Sequence, residues 1–327
     1  MPFRIKVSLA VLLSLLTLLF VGPLITTVPP LENTVSAVSL ADADSKFIDL
    51  GDLNVHYKTA GDPAADHVFI LIHGFGSSLY TWHKLMPALA EQGYVLAFDR
   101  IAFGLTERPM RGDWTGESPY SDGAQREQLV ELMTALGIDK AVLLGHSSGG
   151  ALAAEFALEY PDKVEALVLF DPAVFRTGGA PAWSRFLLHT PQLNRIGPLI
   201  MRQFGGEPGQ NFLKSAWYDP EKLSDDDRAA YQETLSVHDW DKALWELSKA
   251  NQNTNLSKQL GAIEQPVLLI SGEEDKVVPL DYTQRLADEL GQAELETFSA
   301  CGHIPQEECP DRVIPAVLAW LNTTLEP

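Results

Sequence analysis

The stretch Leu143-Leu144-Gly145-His146-Ser147-Ser148-Gly149-Gly150 decides how the chain is read. An apolar run, Ala141 to Leu144, stops abruptly in small residues around a serine. Gly145-His146-Ser147-Ser148-Gly149 fits G-x-S-x-G, with a strand-like run before it and a helix-period stretch, Ser148 to Tyr160, after it. A serine at a sharp strand-to-helix turn adopts a strained backbone conformation. Side chains two positions to either side would collide, so glycine is required at both. The result is a hydroxyl held at a helix N-terminus, where the dipole favours negative charge. Ser147 is therefore the candidate nucleophile, and the alternative is a glycine-rich turn that packs a helix close to a sheet.

Outward from this turn the pattern alternates. Phe47-Ile48-Asp49-Leu50 and Leu53-Asn54-Val55-His56-Tyr57 flank Gly51-Asp52, a hairpin signal. His67 to Ile72, Tyr94 to Phe98, Ala141 to Leu144, Ala166 to Phe170 and Val267 to Ile270 read as buried strands, and Leu295 to Phe298 as a weaker one. Helix-period stretches lie between them at Leu79 to Glu91, Ser121 to Leu136, Ser148 to Tyr160, Leu280 to Leu290 and Arg312 to Leu321. The expected fold is α/β, a mostly parallel sheet with helices on both faces. Residues 173–262 interrupt the alternation with helix-like and loop-like sequence and hold Trp183, Trp217, Trp240 and Trp245. They read as an inserted helical unit over the strand ends.

A serine hydroxyl needs a base, and the base an orienting carboxylate. His56, His67 and His83 read as strand or helix surface positions, His146 flanks the nucleophile, and His189 and His238 lie in the insert. His303 follows the last strand in Ser299-Ala300-Cys301-Gly302-His303-Ile304-Pro305, at the strand's C-terminal end, where an open α/β sheet places its site. Asp275, in Gly272-Glu273-Glu274-Asp275-Lys276-Val277-Val278-Pro279, is the first candidate for the acid, with Glu273, Glu274 and Asp171 behind it. In Ile72-His73-Gly74-Phe75-Gly76-Ser77-Ser78, glycines on both sides of Phe75 let its N–H approach a ligand. With the N–H of Ser148 it forms a candidate oxyanion hole.

With 327 residues, 46% of them hydrophobic, the chain can bury a large core. The 44 acidic residues against 24 basic give a formal net charge of −20, which repels phosphate backbones and makes nucleic acid a poor partner. No Cys/His cluster suggests a metal, and no phosphate-binding loop suggests a nucleotide. Met1 to Val28 reads MPFRIKVSLAVLLSLLTLLFVGPLITTV, with Arg4 and Lys6 ahead of the apolar run Val7 to Val21. Residues 1–28 are the expected signal peptide or signal anchor, and residues 29–45 a linker. Phe20 and Gly22-Pro23 are poor context for cleavage close to the run, which favours a membrane anchor over a secreted product. Either way the remainder is exported.

From Phe47 to Leu321 the chain resembles the α/β-hydrolase superfamily, through HGFGSS, FDRIAFGLTERP, GHSSGG, GEEDKVVP and CGHIPQEECP in that order. The family's usual DRxGxGxS stands here as Asp99 to Thr106. The resemblance implies a core of residues 46–172 and 263–327 and a helical cap at 173–262. It implies Ser147, His303 and Asp275 as the triad and Phe75 and Ser148 as oxyanion donors, with no cofactor. Serine at the nucleophile position argues against the epoxide hydrolases and haloalkane dehalogenases, which carry aspartate there. Carbon–carbon bond hydrolases, iminopeptidases and perhydrolases of the same fold keep the serine and stay open. So does a ligand-binding sensor that retains the triad. The expected activity is hydrolysis of a small or medium apolar or aromatic carboxylic ester. Cys301 and Cys309 bracket His303, so in an exported protein they either close a disulfide around the base or pack there as reduced thiols.

Overall fold

The apolar runs become central strands because helices cover both faces of the sheet. The computed structural model describes residues 3–175, 182–250, 256 and 259–325. Residues 1–2 of the expected leader, 326–327 of the core, and 176–181, 251–255, 257 and 258 of the expected cap lie outside the described residues. The strands are β1 Lys46–Asp49, β2 Asn54–Ala60, β3 Val68–Ile72, β4 Tyr94–Phe98, β5 Ala141–His146, β6 Val164–Phe170, β7 Val267–Gly272 and β8 Ala293–Phe298. They form one eight-stranded sheet in the order β1-β2-β4-β3-β5-β6-β7-β8. The β1–β2 hairpin sets Asp49 opposite Asn54, and β2 pairs antiparallel with β4. The pairings from β4 and β3 through to β8 are parallel. The fold is the expected α/β-hydrolase arrangement.

Alternation along the strands divides the core in two. Ile70, Ile72, Leu143, Leu167 and Leu169 face the helices Asp122–Ala135, Ser148–Glu159 and Leu280–Leu290. Phe69, Leu71, Val142, Leu144 and Val168 face Trp82, Leu85 and the helix Pro310–Thr324. All residues of β5 and β7 are buried, which explains why their sequences show no polar alternation.

After β6 the described residues of the interruption hold helices Pro191–Met201, Glu207–Ser215, Asp225–Glu233 and Trp240–Ala250. Trp217, Trp240 and Trp245 are buried, whereas Trp183 is exposed. Two tyrosine–carboxylate hydrogen bonds join this unit to the sheet domain. Tyr80 Oη donates to Asp227 at 2.8 Å, and Tyr231 Oη donates to Glu307 at 2.5 Å. The Thr81 hydroxyl also donates to Glu307.

A helix, Phe3–Phe20, covers the N-terminal apolar run. Among the described residues no helix is long and apolar enough to cross a membrane, so the expected anchor finds no support there. Pro29 and Val35 of the 29–45 segment lie against the inserted unit: Val35 N–H donates to Ser236 O at 2.8 Å, His238 N–H donates to Val35 O at 2.9 Å, and Arg202 Nη2 donates to Pro29 O at 2.7 Å. His56 is not the surface residue its strand position suggests. It is buried, with Nδ1 2.7 Å from Asp99 Oδ2 and Nε2 2.9 Å from the Ser45 hydroxyl.

The segment after β8 is closed by a disulfide between Cys301 and Cys309, with a Cα–Cα distance of 6.2 Å. The cross-link restricts the unfolded chain. In the oxidised protein the double variant Cys301→Ser/Cys309→Ser should lose about 2.5 kcal/mol of unfolding free energy in urea titrations, the entropy of closing so short a loop. Glu307 gives a pH-dependent term. Burial pushes its carboxyl from 4.5 up to about 7, against the Thr81 and Tyr231 hydrogen bonds, which pull it down. The folded chain thus holds this proton more tightly than the unfolded one, and stability falls as pH rises through that window. Glu307→Gln should remove a loss of about 3 kcal/mol between pH 4.5 and 7, read from urea midpoints across that range.

Candidate active site

Ser147 sits where β5 ends and the helix Ser148–Glu159 begins, with φ +53° and ψ −120°. That conformation is costly for a residue with a Cβ and persists only where the surroundings hold it. Here the Ser147 N–H donates to Phe170 O at 2.9 Å, and its carbonyl accepts from Ala173 N–H at 3.0 Å and Ala151 N–H at 3.2 Å. The helix start presses on the neighbouring strand: a Cβ on Gly149 would lie 2.2 Å from the Ile72 carbonyl oxygen. The serine is largely buried, and it lines a cavity.

His303 and Asp275 meet from two loops. His303 Nδ1 lies 2.7 Å from Asp275 Oδ2. Asp275 Oδ1 accepts from Val277 N–H at 2.6 Å and Val278 N–H at 2.9 Å, which turns its other oxygen to the imidazole. Donation by Nδ1–H leaves the Nε2 lone pair for a second partner. His303 and Ser147 line the same cavity. Of the other acids considered, Glu274 accepts from Cys301 N–H at 3.0 Å and Glu273 from the Thr297 hydroxyl at 3.1 Å. Asp171 lies behind Asp275, accepting from the Ser271 hydroxyl at 2.7 Å.

Phe75 and Ser148 also border the cavity. Ser148 is the first residue of its helix, so its N–H has no intrahelical acceptor. Gly74 lets the Phe75 turn close on the serine, since a Cβ there would lie 2.9 Å from His146 Nδ1 and 3.0 Å from Ser147 Cβ. Gly76 takes φ +70°.

Three residues that the sequence reading gave no role secure these loops. His146 Nε2–H donates to the His303 carbonyl at 2.7 Å, and burial pushes its imidazole well below its ordinary value, so it is neutral. His73 Nδ1–H donates to Gly74 O at 2.8 Å and its Nε2 accepts from Arg100 N–H at 2.9 Å. Burial pushes His73 down to about 4. Arg100 Nη1 donates to His73 O and to the Ser148 hydroxyl, both at 3.0 Å, while Nε and Nη2 donate to Gln125 Oε1 at 3.2 and 2.8 Å. Burial lowers its guanidinium to about 10. The signal available in the sequence was a charged pair, Asp99-Arg100, placed directly after a buried strand.

The cavity is about 600 Å³ and its wall is mainly apolar, with Phe103, Phe204, Trp240 and Leu244 among the lining residues. Phe75 packs edge-on against Phe103 at 5.5 Å and against Phe204 at 5.6 Å, so one aromatic row runs from the sheet domain into the inserted helices. The arrangement sets a hydroxyl and an oriented imidazole on one mainly apolar cavity, with the Ser148 N–H beside them.

Comparison with known proteins identifies the family. The profile described as alpha/beta hydrolase fold matches residues 67–310. A 2-hydroxy-6-oxononadienedioate/2-hydroxy-6-oxononatrienedioate hydrolase from Pseudomonas sp. is 28% identical over 301 residues, covering 88% of this chain and 99% of that protein. A soluble epoxide hydrolase from Corynebacterium sp. (strain C12) is 28% identical over 289 residues, covering 81% and 93%. The solved 2-hydroxy-6-oxo-6-phenylhexa-2,4-dienoate hydrolase from Rhodococcus sp. strain RHA1 superposes with a TM-score of 0.67 at 27% identity, over 84% of this chain and 97% of that one. The chain belongs to the α/β-hydrolase fold family and is a hydrolase.

Proposed function

We propose that the chain is a serine hydrolase of neutral, apolar carboxylic esters. The Ser147 hydroxyl attacks the ester carbonyl and passes its proton to His303 Nε2. Asp275 holds the resulting imidazolium, and the N–H groups of Phe75 and Ser148 receive the oxyanion. His303 then gives the proton to the departing alkoxide, leaving an acyl group on Ser147. A water molecule, deprotonated by His303, releases the acid and restores the serine. Each donor aimed at the oxyanion contributes roughly 3 kcal/mol to the lowering of the barrier.

The observation that carries this reading is the 2.7 Å bond between His303 and Asp275, on the wall of the apolar cavity that Ser147 also lines. The choice of a neutral substrate rests on charge. Among the described residues lining the cavity the lysine and arginine side chains are represented by Arg100, and its fork is engaged by His73, Ser148 and Gln125. A carboxylated substrate entering a mainly apolar cavity needs a cation to receive it. The second reading is hydrolysis of a carbon–carbon bond, favoured by the activities for which the Pseudomonas and Rhodococcus relatives are named. The basic and apolar leader and the Cys301–Cys309 disulfide support an exported protein.

Purified protein should turn over p-nitrophenyl esters steadily, and Ser147→Ala should lower kcat by roughly 10³-fold or more, with the fold retained by circular dichroism. A fluorophosphonate should label the parent protein and not this variant. A kcat/KM higher for a carboxylated vinylogous diketone than for any ester would replace the ester reading with carbon–carbon hydrolysis. Saturable ester binding without turnover would point to a sensor.

A further inference from the structure

The ends of β6 and β7 bring two buried carboxyl groups within 4.8 Å of one another. Asp171 follows β6, is fully buried and takes φ +41°. Its Oδ1 accepts from the Ser271 hydroxyl at 2.7 Å and from Gly272 N–H at 3.2 Å. Asp275 stands next to it, in the loop after β7. One carboxylate oxygen from each, together with a ring nitrogen of His303, lie within 4.8 Å of one another.

Two carboxyl groups share a hydrogen bond only when one of them carries a proton. The surroundings decide which. Asp275 accepts from two backbone N–H groups and from His303 Nδ1–H, so its oxygens already serve as acceptors. Among the described residues no lysine or arginine hydrogen-bonds to Asp171. Burial first, and then the charge of Asp275, push its carboxyl well above the ordinary range, against the Ser271 and Gly272 hydrogen bonds. The titratable groups it faces are Asp275, from the loop after β7, and His303, from the loop after β8. Beyond Ser271 stands the Thr283 hydroxyl of the helix Leu280–Leu290, 3.5 Å from the serine oxygen.

We propose that Asp171 is a protonated positioning residue whose carboxyl O–H donates to the Asp275 carboxylate, and that it becomes the carboxylate partner of His303 when Asp275 is neutralised. The inference rests on the Ser147–His303–Asp275 reading. The donated bond draws charge from Asp275 and so moderates its hold on the imidazolium. No proton is transferred during the ester cycle, because the bond stays in place while Ser147, His303 and water exchange theirs.

The test measures p-nitrophenyl ester turnover by the parent protein and by Asp171→Asn, Asp171→Ala, Asp275→Asn and the Asp171→Asn/Asp275→Asn double variant. Asp275→Asn should lose about 10²-fold in kcat, and the double variant about 10⁴-fold, the loss expected when no carboxylate orients the base. Asp171→Asn keeps an N–H donor and should stay within about threefold of the parent. Asp171→Ala should move the acid limb of the kcat/KM profile upward by roughly half to one pH unit, as Asp275 regains its full charge beside His303. A difference infrared spectrum of the parent against Asp171→Asn should show a protonated-carboxyl band at neutral pH. That spectrum tests the idea even where a variant is inactive through misfolding. A double variant no slower than Asp275→Asn, an unmoved acid limb in Asp171→Ala, or the missing band would each overturn the proposal. If Ser147→Ala keeps its turnover, the triad reading itself fails. If it loses turnover and the carboxyl band is missing, only the role of Asp171 fails.

Discussion

The active end of this molecule depends on backbone meeting backbone with no side chain between. Gly149 seats the Ser147 turn on the carbonyls of Ile72 and His73, where a Cβ would lie 2.2 and 2.5 Å from the oxygens. Gly272 seats the loop after β7 on the loop that carries His303, where a Cβ would lie 2.1 Å from Gly302 O. These contacts place three strand ends at a common depth. They also hold Ser147 in a conformation it would not keep alone. A side chain at either glycine would push the serine and the imidazole apart before it affected any hydrophobic contact.

Beneath that surface lies a buried polar layer in which the charges are engaged. Asp99 accepts from Leu79 N–H and Leu105 N–H, both at 2.8 Å, and lies 2.7 Å from His56 Nδ1. Arg100, its neighbour in sequence, turns the other way to clamp the His73 carbonyl and the Ser148 hydroxyl. Buried charges without partners cost several kcal/mol each, so these side chains hold their loops in one arrangement. Arg100 ties the Phe75 turn and the Ser148 turn together, the two loops that supply the proposed oxyanion donors. The aromatic row of Phe103, Phe75 and Phe204 continues that support into the apolar wall of the cavity.

The apolar chamber and the polar layer suit one another chemically. A mainly apolar wall strengthens hydrogen bonds to a developing oxyanion, and it penalises any substrate charge that it does not pair. The neutral state of His146 fits the same environment. A second cation beside His303 would oppose formation of the imidazolium, and burial keeps it from forming.

By itself the sequence determined the order and direction of the elements, because strand runs, helix periods and turn glycines are local signals. Ser147 and His303 were readable for the same reason, each lying at the end of a strand run in a loop of small residues. The choice of Asp275 over Glu273, Glu274 and Asp171 was narrowed but not decided, since four acids stand close to strand ends. Only the tertiary structure shows which of them meets His303, with two backbone N–H groups holding one oxygen of Asp275 and the imidazole on the other. His56 read as a surface residue because strand alternation does not reveal a partner 43 residues away. His146 showed no purpose until its ring met a carbonyl 157 residues further on. The cavity wall and the Asp171–Asp275 pair are likewise contacts between distant segments, and their distances exist only once the sheet has brought those segments to one edge.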